Sequence, residues 1–333
     1  MDAVAEDSVE LVVTSPPYPM IEMWDETFIS MEPDIEGALE SADGSRAFEL
    51  MHQQLDAVWD ELSRVLEPGG IACINVGDAT RSVGDDFQVY SNHTRIITAM
   101  EATGFVSLPG ILWRKPTNSA AKFMGSGMLP PNAYPTLEHE HILLFRNGTS
   151  ARSFPPGDER RYESAFFWEE RNAWFTDVWT DVTGADQELT TVDDRDRSAA
   201  YPLTIPYRLI NMFSVYEDTV LDPFWGTGTT TAAAMLAGRN SIGFELSEQL
   251  VESFEDRIET LPDYSRTVLE DRIDAHREFV GSTRAEGGAV QYDARHYDFS
   301  VKTRQEREIL FRTIDSIEAT DGGFVVGYDR FDG

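Results

Sequence analysis

Cysteine is nearly absent from this 333-residue chain, which holds Cys73 alone. A single thiol excludes a disulfide within the chain and a cysteine-rich metal site. Cys73 lies in the apolar run 71–76, which predicts a thiol buried in a strand.

Lysine is scarce as well, with three residues in a chain that carries 59 acidic and 27 basic side chains, for a net charge of -32. Such acidity normally argues against nucleic acid as a partner. The charges are spread among apolar periodic segments, so disorder does not explain them. At molar salt the Debye length falls to roughly 3 Å, which screens self-repulsion. We therefore expect a protein adapted to a salt-rich cytoplasm.

Long apolar runs are also missing, since no stretch approaches the roughly 20 residues that cross a membrane. The chain starts with Met1-Asp2-Ala3, which is acidic, unlike the start of a signal peptide. We expect a cytoplasmic protein with no membrane partner. Its length and 41% hydrophobic content allow one large core with an insertion, or two modest domains.

Strand and helix patterns alternate over the first two thirds of the chain. The predicted strands include 9–13, 71–76, 111–113 and 138–145, and the predicted helices include 48–66, ended by Pro68-Gly69-Gly70, and 94–103. This alternation predicts a doubly wound α/β domain.

The first strand runs directly into Thr14-Ser15-Pro16-Pro17-Tyr18. The two prolines fix the backbone, so Ser15 and Tyr18 are presented at the carboxyl end of a strand, where ligands bind in open α/β sheets. A plain turn is the alternative. Residues 18–46 lack a clear period and predict a mobile loop over this site.

A second unit has a strand at 219–221, a glycine turn, a helix at 230–236 and a strand at 241–244 that ends in Glu245. Glycines at such a turn let backbone approach a ligand and aim free helix N–H groups at it. An acid about 20 residues further on grips a ribose in nucleotide-type folds. The unit lacks a third glycine and a Gly-Lys-Ser/Thr, which argues against NAD and P-loop sites. It predicts a cofactor loop, with a tight turn as the alternative.

Aromatic residues and arginines are concentrated in 151–200. Such residues stack on bases and read guanine edges, but a compact aromatic mini-core has the same composition, and both interpretations stay open. His139 and His141 would share one face of a strand. A metal site needs two further ligands, and since none stands out, we predict no metal.

The remainder of the chain carries no assignable motif. We predict acidic surface helices at 248–261 and 268–279, strands at 290–292 and 324–328, and a helix at 304–317. Support, dimerisation and closing the edge of the sheet are all open roles for it.

Together, Thr14-Ser15-Pro16-Pro17-Tyr18 and the later Asp222-Pro223-Phe224-x-Gly226-x-Gly228-Thr229 resemble the beta group of amino-directed DNA methyltransferases. In that family the catalytic motif precedes the S-adenosylmethionine loop. The likeness covers roughly 2–258 and includes the stretches 62–78, 112–116, 138–145 and 201–210 in the family's order.

The resemblance implies a mostly parallel seven-stranded methyltransferase sheet with an inserted target-recognition segment. The implied divisions are 1–116, the catalytic half; 117–198, the strand 138–145 and the target-recognition insertion; 199–261, the S-adenosylmethionine-binding half; and 262–333, an α+β extension.

The resemblance also implies the site residues. Ser15 and the Pro16 carbonyl would hold the amine, Tyr18 would stack on the base, and Glu245 would hold the ribose. The catalytic set is Ser15, Pro16, Pro17 and Tyr18, and the cofactor-binding set is Asp222, Pro223, Phe224, Gly226, Gly228, Thr229, Glu245, Tyr201, Pro202 and Pro206. The sequence departs from the family at His141, where Tyr is usual, at Tyr201, where His is common, and in lacking a strand and Gly-Asp before the catalytic strand.

The implied reaction moves a methyl group from S-adenosylmethionine to the exocyclic N4 of a flipped cytosine in duplex DNA. Serine before Pro-Pro-Tyr is typical of N4-cytosine enzymes, and Met20, Met23 or Trp24 would close a pocket around this smaller base. The alternatives are adenine N6, RNA as substrate, and a catalytically silent DNA-binding regulator. A homodimer and a cognate restriction endonuclease are candidate partners.

Overall fold

The computed structural model describes residues 1–115, 124–183 and 201–333. Its strands are β1 Val9–Thr14, β2 Leu66–Val76, β3 Ala79–Val83, β4 Asp86–Tyr90, β5 Phe105–Arg114, β6 Met124–Gly125, β7 Ala133–Tyr134, β8 His139–Asn147, β9 Val178–Trp179, β10 Thr219–Asp222, β11 Asn240–Gly243, β12 Tyr292–Asp293, β13 Ser300–Val301, β14 Arg312–Thr320 and β15 Gly323–Arg330. Its helices are α1 Asp25–Met31, α2 Asp34–Glu40, α3 Gly44–Val65, α4 Asn92–Ala102, α5 Glu159–Glu163, α6 Trp168–Trp174, α7 Thr204–Phe213, α8 Thr229–Leu236, α9 Glu248–Ile258 and α10 Leu261–Ala285.

A seven-stranded sheet forms the centre, in the order β11-β10-β1-β2-β8-β5-β9. All its neighbouring pairs are parallel except those of β8, which runs antiparallel to β2 and to β5. The inner strand β1 is mostly apolar, with Val9 and Val12 buried on one face of the sheet and Leu11 and Val13 buried on the other, because both faces are covered by helices. The predicted doubly wound, mostly parallel α/β sheet is confirmed.

Helix α3 covers one face of the sheet. Its apolar stripe, with Met51, Leu55, Trp59 and Leu62, is buried, as the three- and four-residue spacing predicts. Asp43 caps its start by accepting a hydrogen bond from the Arg46 N–H, and it ends at Val65. Helices α7 and α8 cover the opposite face.

Strand β2 begins five residues earlier than the predicted 71. Val9 pairs with Leu66 and Leu11 with Ile71, so β2 holds an irregular stretch that contains Pro68-Gly69-Gly70. Gly69 has a φ of 90°, and a Cβ there would lie 2.6 Å from the Arg152 backbone nitrogen. These residues therefore shape the strand entry and do not end the helix.

The predicted loop 18–46 is wrong for most of its length. Helices α1 and α2 occupy it, separated by Pro33, and α3 begins at Gly44. Phe28 and Ile35 are fully buried against the core. Each helix has seven residues, too few for an apolar period to show in the sequence.

The predicted helix 304–317 is also wrong. A short 3-10 turn at Gln305–Glu308 is followed by β14, which pairs antiparallel with β15. The β-branched residues of β14 gain hydrogen bonds from the following strand, which local propensity alone does not reveal. The predicted strand 324–328 is confirmed within β15.

The C-terminal extension shares a core with the insertion. Phe167 of the insertion is fully buried among Leu269, Ile273 and Phe311, and Arg272 pairs with Glu170 at 2.6 Å. In the described part of the chain, no helix is long and apolar enough to cross a bilayer.

Candidate active site

The catalytic motif and the glycine loop meet at one edge of the sheet, because β1 ends at Thr14 and its parallel neighbour β10 ends at Asp222. The buried Asp222 carboxylate joins them. It accepts hydrogen bonds from the Thr14 and Thr230 hydroxyls, both at 2.6 Å. Burial raises the Asp222 pKa to about 6, although these hydrogen bonds act to lower it.

Tyr18 is held by a buried polar network that sequence reasoning missed. Its hydroxyl donates to Glu140 Oε2 at 3.0 Å, and Asn75 Nδ2 donates to the same oxygen at 2.6 Å. Lys115 donates to Glu140 Oε1 at 3.0 Å. Burial, with the Glu140 charge next in importance, raises the Tyr18 pKa well above its usual value. Glu140 lies within the predicted strand 138–145, but nothing in the sequence pairs it with Tyr18.

The hydrogens of this network determine the role of Ser15. The Tyr18 hydroxyl donates its hydrogen to Glu140, and Asn75 Nδ2 donates its second hydrogen to the Tyr18 oxygen at 2.9 Å. At the 3.1 Å contact between Ser15 Oγ and the Tyr18 hydroxyl, the serine must therefore donate. An oxygen that donates its single hydrogen keeps both lone pairs as acceptors. Ser15 is thus poised to accept hydrogen bonds.

The Tyr18 ring rests on Gly77. A Cβ at Gly77 would lie 3.1 Å from Tyr18 Cε2 and 3.4 Å from Glu140 Cγ, so a larger residue would push the ring away. The buried Asn92 donates to the Gly77 carbonyl at 2.9 Å and to the Pro19 carbonyl at 3.1 Å. These bonds fix the motif to the end of β2.

The glycine loop has the predicted strand-to-helix geometry. Gly226 and Gly228 have φ values of 53° and 75°, which L side chains rarely adopt. A Cβ on Gly228 would lie 2.5 Å from the Phe254 ring, whereas at Gly226 the nearest atom is 3.9 Å away. No side chain of the described residues caps the start of α8, so its N–H groups are available to an anionic ligand.

Glu245 braces this loop from the end of β11. Its carboxylate accepts from the N–H groups of Gly226 at 2.8 Å, Leu246 at 2.8 Å and Ser247 at 2.9 Å. The structure therefore places Glu245 beside the loop and shows that it holds Gly226, while its contact with a ribose stays a prediction.

Tyr201 lies against the same edge. Its buried hydroxyl is 2.5 Å from Thr230 Oγ1, which in turn donates to Asp222. Pro202 and Pro206 are buried beside it at the start of α7. The remaining predicted cofactor residues, Pro223, Phe224 and Thr229, lie in the loop and at the start of α8.

The residues suggested to close the base pocket differ in their surroundings. Met20 is buried, and its backbone N–H contacts the sulfur of Met51 at 3.3 Å. Met23 is 49% exposed, while Trp24 packs partly buried against the α3 side of the core.

The aromatic and arginine segment lies largely away from this edge. A cleft of about 720 Å³ is lined by Arg146, Arg152, Phe154, Arg161, Phe166 and Trp168, among others. It sits where β2 begins and β8 ends, at the amino edge of the parallel strands. Phe167, Trp174 and Trp179 are buried, so an aromatic mini-core accounts for much of this composition. Residues 184–200 of the segment lie outside the described residues.

Two residues join His141 that the sequence did not single out. His93 stacks on His141 with ring centroids 4.0 Å apart, and His93 Nδ1 lies 2.8 Å from both Asp78 carboxylate oxygens. His139 meets His141 edge-on at 5.0 Å.

This fold, with a catalytic-type Ser-Pro-Pro-Tyr beside a glycine loop, defines an amino-methyltransferase, and a family comparison agrees. Residues 9–256 match the model of the N6/N4-type DNA methylases, and the chain belongs to that family.

Two type II methyltransferases are similar over most of their length. The type II methyltransferase M.MthZI of Methanothermobacter thermautotrophicus is 51% identical over 312 residues, covering 93% of this chain and 86% of its own. The type II methyltransferase M.MjaI of Methanocaldococcus jannaschii is 49% identical over 269 residues, covering 78% and 88%.

A solved structure is similar as well. TTHA0409 of Thermus thermophilus, assigned as a DNA modification methylase, was solved with bound S-adenosyl-L-methionine. It is 30% identical, with a TM-score of 0.59, and the match covers 77% of this chain and 87% of that one.

Proposed function

We propose that this chain transfers a methyl group from S-adenosylmethionine to the exocyclic N4 of a flipped cytosine in duplex DNA. The observation that carries the proposal is the meeting of the Ser15–Tyr18 motif and the Gly226–Gly228 loop at one sheet edge, joined through Asp222. Type II DNA methyltransferases at 51% and 49% identity support DNA as the substrate. They also make a restriction endonuclease of the same specificity a candidate partner.

The residues present fit the cofactor. The uncapped N–H groups of α8 suit its carboxylate, the open space at Gly226 allows close approach, and Glu245, which contacts the loop through Gly226, would hold the ribose. S-adenosylmethionine supplies a sulfonium methyl group that is electrophilic without help from a metal.

The chain's own groups have to make the amine nucleophilic. An exocyclic amine is a poor nucleophile because its lone pair delocalises into the ring. Ser15 Oγ, whose lone pairs are free, and the Pro16 carbonyl would accept the two amine hydrogens and favour a pyramidal nitrogen. Bound S-adenosylmethionine would supply the methyl group and keep the electron pair of the broken C–S bond on sulfur, and the methylated amine would release one proton to water.

Tyr18 would stack on the flipped base. Leaving the duplex costs a few kcal/mol, and base-aromatic stacking offsets part of it. The Glu140 and Asn75 hydrogen bonds hold the ring in place before the base arrives, so little ordering of Tyr18 remains to be done on binding.

Salt is the expected working condition. With a net charge of -32, we propose that the protein is halophilic and that DNA is held through base contacts and stacking more than through phosphate contacts.

The proposal is tested by sequencing plasmid DNA from a host with and without the gene. We expect modified cytosines at one short motif when the protein is present, and none with Ser15→Ala. Methyl transfer to RNA in preference to the same sequence as duplex DNA would contradict the assignment.

A further inference from the structure

Asp78, His93 and His141 form a compact cluster beside the catalytic motif. One ligand atom from each lies within 4.8 Å of the other two. Two imidazoles and a carboxylate are a donor set used for zinc and similar ions, whereas magnesium and calcium prefer oxygen alone.

Three separate elements bring these side chains together. Asp78 follows the end of β2, His93 is the second residue of α4, and His141 lies in β8 opposite Val76 of β2. The His93 backbone N–H donates to Asp78 at 3.2 Å, which orients the carboxylate toward the ring. The three positions are therefore set by the fold and not by one flexible loop.

The cluster remains accessible to solvent. The His93 and Asp78 side chains are 28% and 12% exposed, and His141 is partly buried. An ion can therefore reach it from water and complete its coordination with water molecules.

We propose that Asp78, His93 and His141 bind one divalent transition-metal ion of the zinc class. Zinc-nitrogen bonds are about 2.0–2.1 Å, so binding requires the donor atoms to draw closer. It also requires the His93 and His141 rings, which are stacked here with 12° between their planes, to rotate out of the stack. The ion replaces the hydrogen bond between His93 and Asp78, and the His93 proton moves through water from Nδ1 to Nε2, so that a neutral imidazole coordinates through Nδ1.

The ion would restrain the backbone segments that support the catalytic motif. Asn92, next to His93, donates to the carbonyls of Gly77 and Pro19, and the Tyr18 ring rests on Gly77. Joining the end of β2 to α4 and β8 therefore restrains the backbone on both sides of Tyr18. The role is structural, and methyl transfer does not pass through the ion.

The test uses the full untagged chain, stripped of metal and titrated with Zn²⁺ by calorimetry and with Co²⁺ by visible absorption. We expect one ion per chain, and an affinity at least 10-fold weaker in His93→Gln and in His141→Gln. His139→Gln is the matched control, since this neighbouring histidine lies outside the cluster, and it should bind as the parent does. Circular dichroism checks that each variant is folded.

The proposal would be overturned if the parent did not bind Zn²⁺ stoichiometrically at micromolar concentration. It would also be overturned if both variants bound Zn²⁺ as tightly as the parent. A second measurement does not depend on the variants folding. X-ray absorption of the zinc-loaded parent should show two imidazole nitrogens with oxygen ligands, and a shell of oxygen alone would also overturn it. Neither result bears on the proposed methyl transfer.

Discussion

Glu140→Ala is the substitution that best tests whether the hydrogen-bond network around Tyr18 contributes to the activity of the catalytic motif. Glu140 accepts hydrogen bonds from Tyr18, Asn75 and Lys115. Removing it leaves one buried amide hydrogen of Asn75 without its acceptor, whereas the Tyr18 hydroxyl can turn to Ser15 Oγ, 3.1 Å away. A buried donor left unpaired costs about 1–3 kcal/mol, so we expect the free energy of unfolding to fall by about that amount. Lys115 is 37% exposed and turns to water at little cost.

Glu140→Ala also changes the group to which the Tyr18 hydroxyl donates its hydrogen. Without Glu140, the Tyr18 hydroxyl turns its hydrogen to Ser15 Oγ and occupies a lone pair that the amine requires. We expect single-turnover methyl transfer to slow by about 10- to 100-fold, or about 1.4 to 2.7 kcal/mol. Glu140→Gln can keep an oxygen toward Tyr18 and Asn75, and should lose far less.

The assay is transfer of labelled methyl groups to duplex DNA, with denaturant unfolding of each variant alongside. Glu138→Ala is the matched control, because Glu138 is an exposed residue two positions away that pairs only loosely with Arg114 at 3.6 Å. In a Tyr18→Phe background, Glu140→Ala should add little further loss of rate. An undiminished effect in that background, or a folded Glu140→Ala protein with parental rates, would refute the proton argument.

Three further predictions concern the cofactor loop, Asp222 and salt. Ser15→Ala and Tyr18→Ala should lose most methyl transfer yet bind S-adenosylmethionine normally by calorimetry. Gly228→Leu, whose side chain would meet the Phe254 ring, and Glu245→Ala should instead weaken S-adenosylmethionine binding first. Loss of S-adenosylmethionine binding in Ser15→Ala would contradict this separation. The Asp222 pKa of about 6 lies above its unfolded value of 3.8, so its contribution to stability is present below pH 3.8 and is lost as the pH rises through 6. Asp222→Asn should therefore gain about 3 kcal/mol relative to the parent from pH 3 to pH 7, and a pH-independent difference in urea unfolding would disprove it. Activity should require high salt, and DNA affinity should fall with salt far less steeply than the roughly -0.9 per phosphate of a basic binder; full activity at low salt with steep inhibition above it would count against the halophile proposal.

The parts of the fold that the sequence predicts are those with strong local signals. The β1 strand, the α3 stripe and the glycine turn each combine an apolar period with a clear ending, and each appears where expected. The short helices α1 and α2 carry too little local signal to be predicted from the sequence. The same is true of β14, because it depends on pairing with β15.

The same division holds in the site. Ser15, Tyr18, Gly226 and Gly228 stand in contiguous motifs, so the sequence and its family resemblance single them out as candidates. Glu140 and Asn75 reach Tyr18 from 122 and 57 residues away, and the Asp78, His93 and His141 cluster joins three elements. Such contacts are set by strand order and register, which a single sequence does not state.

The identity of the methylated base tests the central claim most directly. Duplex DNA methylated in vitro by the purified protein is digested to nucleosides and analysed by mass spectrometry, with Ser15→Ala as the control. The account predicts N4-methylcytosine with the parent protein and none with the variant. N6-methyladenine without N4-methylcytosine would contradict the claim.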